Sequence, residues 1–208
     1  MKILTIIGTR PELIRLSRII PTLDKFSKQI IVHTGQNYDK NLDHVFFKNF
    51  KLRKPNYYLG AKGSFGDQIS IILKKMEKII EKEKPDRFFV LGDTNSSLGA
   101  IMAKRMGVKV YHVEAGNRCF DDKVPEEINR KIIDHSSDFL LTYTTRSAEN
   151  LVKEGIDRSS IFVVGNPIYE VMSYYEKQIE RSNILQKLKL KEKKYFLLTL
   201  HRTENTTD

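Results

Sequence analysis

Two carboxylates stand where protons could be moved. Glu114 follows the β-branched, apolar run Val108 to Val113, and Gly116 two residues later permits a sharp turn into a charged loop. Asp93 follows a second apolar run, Phe88 to Leu91, within Gly92-Asp93-Thr94-Asn95-Ser96-Ser97. Taken alone, Asp93 reads equally as a turn or helix-capping residue. Two successive strands that each end in an acid carry more weight, because ligands of open parallel sheets bind in the crevice outside the strands' carboxyl ends. Carboxylates gathered there can take protons and return them. Beyond the loop, Pro125 suits the start of a helix, with Glu126 and Glu127 in its first turn and Ile128, Ile132 and Ile133 expected on its buried face. At the end of the first apolar run, Lys2 to Ile7, stands Gly8-Thr9-Arg10-Pro11-Glu12. The N–H groups of such a strand-to-helix turn and the Arg10 guanidinium would make an anion site, although Gly-x-Arg-Pro by itself is also an ordinary turn.

These residues need a frame, and the apolar patterning supplies one. Gln29 to His33, Phe139 to Thr142 and Ile161 to Val164 read as further strands. Helical periods follow Pro11, with Pro21 expected to break or kink the helix, and recur at Leu42, Val45, Phe46 and Phe50. They recur again at Ile72, Leu73, Met76, Ile79 and Ile80, through Met106, around Ser147 to Glu154, and from Ile168 to about Ile184. The polar stretch Thr34 to Asp39 reads as a loop, and Gly60, Gly63 and Gly66 as a flexible connection. Six βα units in alternation imply an α/β fold, a doubly wound parallel Rossmann-like sheet with right-handed crossovers. Tyr195 to Leu200 reads as a new apolar strand. The expected organisation is a first domain over residues 1–170, a linker helix and connector over 171–194, and the opening strand and loop of a second nucleotide-binding domain over 195–208.

Composition narrows the function classes. With 40% hydrophobic and 30% charged residues, 208 residues can bury a sizeable core. No apolar run approaches the roughly 20 residues of a membrane-spanning helix, and the apolar start is too short for a signal peptide, so a cytoplasmic protein is expected. The single cysteine, Cys119, agrees with a reducing compartment. The formal charge of +10 is scattered among acids and lacks interleaved aromatic residues that could stack bases. It therefore points to an anionic small molecule and away from nucleic acid or a membrane. No dinucleotide fingerprint is present and the histidines lie at no metal-ligand spacing, so no cofactor is implied.

Together, Gly8-Thr-Arg-Pro-Glu12, Gly92-Asp-Thr94, His112-Val-Glu-Ala-Gly116, Pro125-Glu-Glu-x-Asn-Arg130 and His201-Arg-x-Glu-Asn205 resemble the non-hydrolysing UDP-N-acetylglucosamine 2-epimerases. The resemblance implies the first half of a two-domain, glycosyltransferase-B-like architecture, a UDP-2-acetamido sugar as substrate, and a homodimer. It also implies C2 epimerisation by elimination of UDP to a 2-acetamidoglycal, followed by re-addition. It assigns Asp93, Glu114, Glu126 and His201 to catalysis, and Gly8, Arg10, Arg15, Arg118 and Glu204 to substrate binding. Many family members carry lysine where this chain has Arg15, whose rigid fork suits anion pairing better than proton transfer. Ile14-Arg-Leu-Ser17 and Gly116-Asn-Arg-Cys-Phe-Asp121 are similar to the capsule and lipopolysaccharide branch, of the UDP-N-acetyl-L-fucosamine synthase type. Cys119 reads as a small buried residue near the site, not as a nucleophile. The competing functions are a glycosyltransferase of the same fold and a sugar-nucleotide binding module without turnover.

Overall fold

A computed structural model of the chain describes residues 1–35 and 40–199. Its sheet contains Lys2–Ile7 (β1), Lys28–His33 (β2), Tyr57–Tyr58 (β3), Arg87–Leu91 (β4), Lys109–Val113 (β5), Phe139–Thr142 (β6) and Ile161–Val163 (β7). All neighbours are parallel, in the order β3-β2-β1-β4-β5-β6-β7. The helices are Arg10–Leu16 (α1), Ile19–Phe26 (α2), Lys40–Asn49 (α3), Phe65–Glu83 (α4), Gly99–Arg105 (α5), Pro125–His135 (α6), Thr145–Lys153 (α7), Ile168–Glu180 (α8) and Ile184–Lys187 (α9). This is the expected doubly wound, Rossmann-like α/β sheet. From β1 the chain winds outward through β2 and β3, then returns to β4 on the other side of β1. The crevice at the carboxyl ends of β1 and β4 is therefore a topological switch point.

Strand alternation explains why the runs carry apolar residues on both faces. Leu4, Ile6, Ile30, Val32, Phe88, Val90 and Val110 fill one core with Ile72 and Met76 of α4, Ala100 and Ala103 of α5, and Ile133 of α6. Ile7, Ile31, Leu91 and Val113 point to the opposite face, against Leu13, Leu16, Ile20 and Phe47 of α1, α2 and α3.

Several sequence expectations are corrected. The glycine-rich connection is shorter than expected because α4 starts at Phe65, with Gly66 inside it. Ser64 Oγ accepts from the Asp67 N–H (3.3 Å) and Asp67 Oδ2 accepts from the Ser64 N–H (3.1 Å), a capping box written plainly as Ser-x-x-Asp. The break after α1 falls at Ser17 and Arg18, ahead of Pro21. Pro21 sits third in α2, where its missing N–H is one that a helix end leaves unpaired anyway. In α3 the buried residue is Phe47, whereas Val45 is exposed. Residues 36–39 of the expected loop lie outside the described residues, as does the Leu42 side chain. Strand β3 went unread because two residues show no periodicity.

The most consequential correction concerns α6. Ile133 is buried, but Ile128 is 48% and Ile132 39% exposed. The inward side of this helix is Glu127, Asn129, Ile133 and Asp134, so a largely polar face packs against the sheet edge.

The chain divides into two compact units, Met1–Val171 and Met172–Asp208, the division falling inside α8. Within the second unit, α8 ends at Glu180, short of the expected Ile184. Residues 195–199 form no strand, and Phe196, Leu197 and Leu198 are exposed. A strand needs a neighbour for its N–H and C=O groups, and among the described residues none lies beside this one. No helix among the described residues is long and apolar enough to cross a membrane.

Candidate active site

Gly8 closes β1 at a point where three loops converge. The hydroxyls of Thr34 and Ser96 lie 2.6 Å apart and a Cβ at Gly8 would collide with both, so only glycine fits. Thr9 precedes α1, and Glu12 folds back beneath it. Its Oε2 accepts from the N–H of Gly8 (2.5 Å) and of Thr9 (3.1 Å), and its Oε1 accepts from Thr94 Oγ1 (2.6 Å). Burial pushes this carboxyl up to about 7, against the lowering effect of those bonds. The N–H groups expected to receive an external anion are thus occupied by Glu12. Arg10, exposed at the first position of α1, is left as the cation of that turn.

Asp93 is gripped from α6. Arg130 donates to its Oδ2 from Nε (3.0 Å) and Nη2 (2.6 Å), and Asn129 Nδ2 donates to its carbonyl oxygen (3.0 Å). Arg130 Nη1 also bonds Glu127 Oε2 at 2.9 Å. Glu127 is fully buried and accepts from the N–H groups of Cys119 and Phe120, both at 3.1 Å. The first turn of α6 therefore fixes the loop before it and the Asp93 turn together.

Glu114 is held in a rare conformation. Its φ is +76°, in the left-handed region that non-glycine residues seldom adopt. Arg15 of α1 pairs with its Oε2 and Asn117 Nδ2 donates to its Oε1 at 3.2 Å. The carboxyl also overhangs the Asp93 turn, since a Cβ built on Gly92 would lie 3.5 Å from Oε2. Burial raises its proton affinity above that of an ordinary glutamate, and Arg15 offsets part of the effect while the Asp93 charge adds to it. Tyr143 stands beside this pair, its phenol pushed up by burial and then by the Glu114 charge.

Gly116 completes the turn at φ +75°, and a Cβ there would collide with the carbonyl oxygen of Ser147. Gly116→Ala is expected to destabilise the chain by roughly 2–5 kcal/mol, combining left-handed strain with overpacking against backbone. Urea unfolding checks this, and a loss under about 1 kcal/mol would mean the turn relaxes freely.

Two hollows share Asn166 in their walls, and one of them reaches Arg15, the partner of Glu114. One, of about 530 Å³, is lined by Phe89, Val113, Leu141, Asn166 and Tyr169 among others. The other, of about 220 Å³, is lined by Pro11, Ile14, Arg15, Asn166 and Ile168. Apolar walls with an arginine and an amide suit a polar organic ligand that carries an anionic group.

A family model described as UDP-N-acetylglucosamine 2-epimerase matches residues 22–208. The chain belongs to this epimerase family. A UDP-N-acetylglucosamine 2-epimerase from Methanococcus maripaludis is 46% identical over 211 residues, covering 99% of this chain and 57% of the relative. A UDP-2,3-diacetamido-2,3-dideoxy-D-glucuronate 2-epimerase from Pseudomonas aeruginosa is 39% identical over 214 residues, covering 100% of this chain and 59% of that one. The crystal structure of Methanocaldococcus jannaschii UDP-GlcNAc 2-epimerase in complex with UDP-GlcNAc and UDP superposes with a TM-score of 0.85 at 43% identity, covering 90% of this chain and 53% of that one. The chain thus spans a little over half the length of the relatives it matches.

Within this epimerase frame, the structure brings Arg15, Asp93 and Glu114 together, with Gly8 in the neighbouring turn. Glu126, half-exposed in the first turn of α6, lies one residue before the buried Glu127. His201 and Glu204 lie outside the described residues. The Arg118 side chain is 0% exposed, bonded to Glu154 (2.7 and 2.6 Å) and to Asp134 (2.8 Å), which ties its loop to α6 and to the end of α7. Cys119 is exposed instead of buried, with Sγ 3.3 Å from Glu127 Oε2. The sequence reading passed over Glu12, Glu127 and Arg130 as site residues. Thr9-x-x-Glu12 is itself a capping-box spacing and could have flagged Glu12.

Proposed function

We propose that this chain is the sugar-facing part of an epimerase that inverts C2 of a UDP-2-acetamido sugar. One base takes the C2 proton, the C1–O bond breaks with its electron pair leaving on UDP, and a C1=C2 double bond forms. Protonation of C2 from the opposite face and attack of the UDP oxygen at C1 then give the epimer. The observation that carries this reading is Glu114, whose proton affinity is raised by burial, set on Arg15 and overhanging the turn of a second acid, Asp93. Two acids at one crevice suit removal of a proton and its return from the other face. Glu126 and His201 complete the catalytic set in this proposal, with Arg10 and His201 on the phosphate side and Glu204 among the substrate-binding residues. A fixed cation such as Arg10 would stabilise the charge that develops on departing UDP.

The proposal extends to organisation and substrate class. Residues 1–170 form the first domain, 171–194 the linker, and 195–208 the opening of a second nucleotide-binding domain, in a cytoplasmic homodimer. The likeness to the Pseudomonas diacetamido-sugar epimerase supports a UDP-2-acetamido sugar as the substrate class. The motifs around Arg15 and Cys119 favour the capsule or lipopolysaccharide branch, of the UDP-N-acetyl-L-fucosamine type, with UDP-N-acetylglucosamine itself as the alternative.

The test uses full-length protein in deuterated water with UDP-N-acetylglucosamine and, separately, its 6-deoxy-talo counterpart, followed by NMR. Deuterium at C2 accompanied by the C2 epimer is the expected result, and the substrate that reacts identifies the branch. Retention of the C2 proton in both compounds would overturn these assignments.

A further inference from the structure

His112, the fourth residue of β5, is completely buried between the two acid-bearing turns. Both of its ring nitrogens meet oxygen. Nδ1 lies 2.7 Å from Asp134 Oδ1, and Nε2 lies 3.0 Å from the carbonyl oxygen of Gly92. A backbone carbonyl can only accept, so Nε2 carries the N–H that meets Gly92, and one proton is shared between Nδ1 and Asp134 Oδ1. The second oxygen of Asp134 accepts from the Gly116 N–H at 3.1 Å and from Arg118 Nη1 at 2.8 Å. Burial would raise the Asp134 carboxyl, yet the bonds and charges of His112 and Arg118 prevail and hold it below the usual aspartate range. Arg118 in turn pairs with Glu154.

We propose that His112 is a positioning residue that, through Asp134, sets the geometry of Asp93 and Glu114 together. On one side its Nε2–H fixes the carbonyl of Gly92, the residue before Asp93. On the other, Asp134 fixes the N–H of Gly116, two residues after Glu114, and Arg118 ties the same carboxylate to Glu154 of the segment after α7. Asp134 lies on α6, the helix whose Arg130 holds the Asp93 carboxylate. One buried ion pair thus links both acids to one rigid element, and a small displacement of either turn would spoil a proton transfer that needs hydrogen-bond distance. His112 touches no reacting atom; it acts through the two turns. The inference rests on the reading of Asp93 and Glu114 as the acids of the reaction.

Nitrogen-15 NMR of the imidazole groups, assigned with His112→Gln, is the direct test. The expected spectrum shows Nε2 of His112 protonated. The chemical shift of a bare lone pair at Nε2 overturns the proposal whatever the variants do. In full-length protein, His112→Gln and Asp134→Asn are expected to lower kcat for C2 epimerisation by about 10²-fold with KM little changed, because geometry and not binding is lost. A folded His112→Gln protein with wild-type kcat also overturns it. If wild-type protein exchanges no C2 proton, the epimerase reading is what fails, and the state of Nε2 still decides for or against the bond that ties His112 to the Asp93 turn.

Discussion

Glu114→Gln in the full-length protein is expected to lower kcat for C2 epimerisation by roughly 10²–10⁴-fold, the range that a positioned proton-transfer group contributes. The side chain is held from three directions: by Arg15 on Oε2, by Asn117 on Oε1, and by a backbone fixed at φ +76° through the Glu114 N–H bond to the Leu141 carbonyl oxygen at 2.9 Å. Glutamine keeps the length and the backbone strain and can still accept one of the two side-chain bonds. The loss of the other should cost about 1 kcal/mol of stability, well short of unfolding. What glutamine cannot do is exchange a proton. Measuring kcat, KM and C2 deuterium incorporation from each epimer, alongside Asp93→Asn, then separates the two acids. The variant that stops exchange from one epimer identifies the base for that direction. A loss under about tenfold would remove Glu114 from the proton path and leave it as a partner of Arg15.

Glu12→Gln should stabilise the chain at neutral and alkaline pH. The folded carboxyl is raised from 4.5 to about 7 by burial, so Glu12 binds its proton more tightly in the folded state than in the unfolded one. Its favourable contribution is complete below pH 4.5 and is lost as pH rises through about 7, where folding must accommodate a buried anion. The full effect is on the order of 3 kcal/mol. Glutamine reproduces the hydrogen bonds: an oxygen in place of Oε2 accepts from Gly8 and Thr9, and an amide nitrogen in place of Oε1 donates to Thr94 Oγ1. Urea unfolding across the acid-to-alkaline range should show wild type losing stability through this window while Glu12→Gln stays flatter. The two should converge near the acid end and differ most near about pH 8. A wild-type profile without that loss would mean the carboxylate keeps its charge at little cost.

The fold was largely legible because it is written in short-range terms. Lys2 to Ile7, Phe88 to Leu91 and Val108 to Val113 carry apolar residues on both faces, which a strand covered on both sides requires, and each is followed by a glycine or an acid. Where the reading slipped, a local signal was missed or the periodicity was misleading. Ser64-x-x-Asp67 announced the start of α4, but the three neighbouring glycines suggested a loose segment. Ile128, Ile132 and Ile133 share a helical stripe, yet a stripe does not say which side faces the sheet. In α6 the sheet takes Glu127, Asn129 and Asp134, because the turns beneath present N–H groups, a guanidinium and an imidazole in need of acceptors.

The sequence by itself determined the class of fold, the edge of the sheet where chemistry can occur, and the placement of Asp93 and Glu114 there. Strand periodicity and parallel topology send the ends of β4 and β5 to the same side, whatever the side chains do next. Only the tertiary structure decided what each charged group touches. Arg118 went to Asp134 and Glu154, Arg15 to Glu114, Arg130 to Asp93, and Glu12 back onto its own turn. Such partnerships join residues as far as 99 positions apart, as for Arg15 and Glu114. They are set by which donors and acceptors burial leaves facing one another, and no local pattern in the chain carries that information.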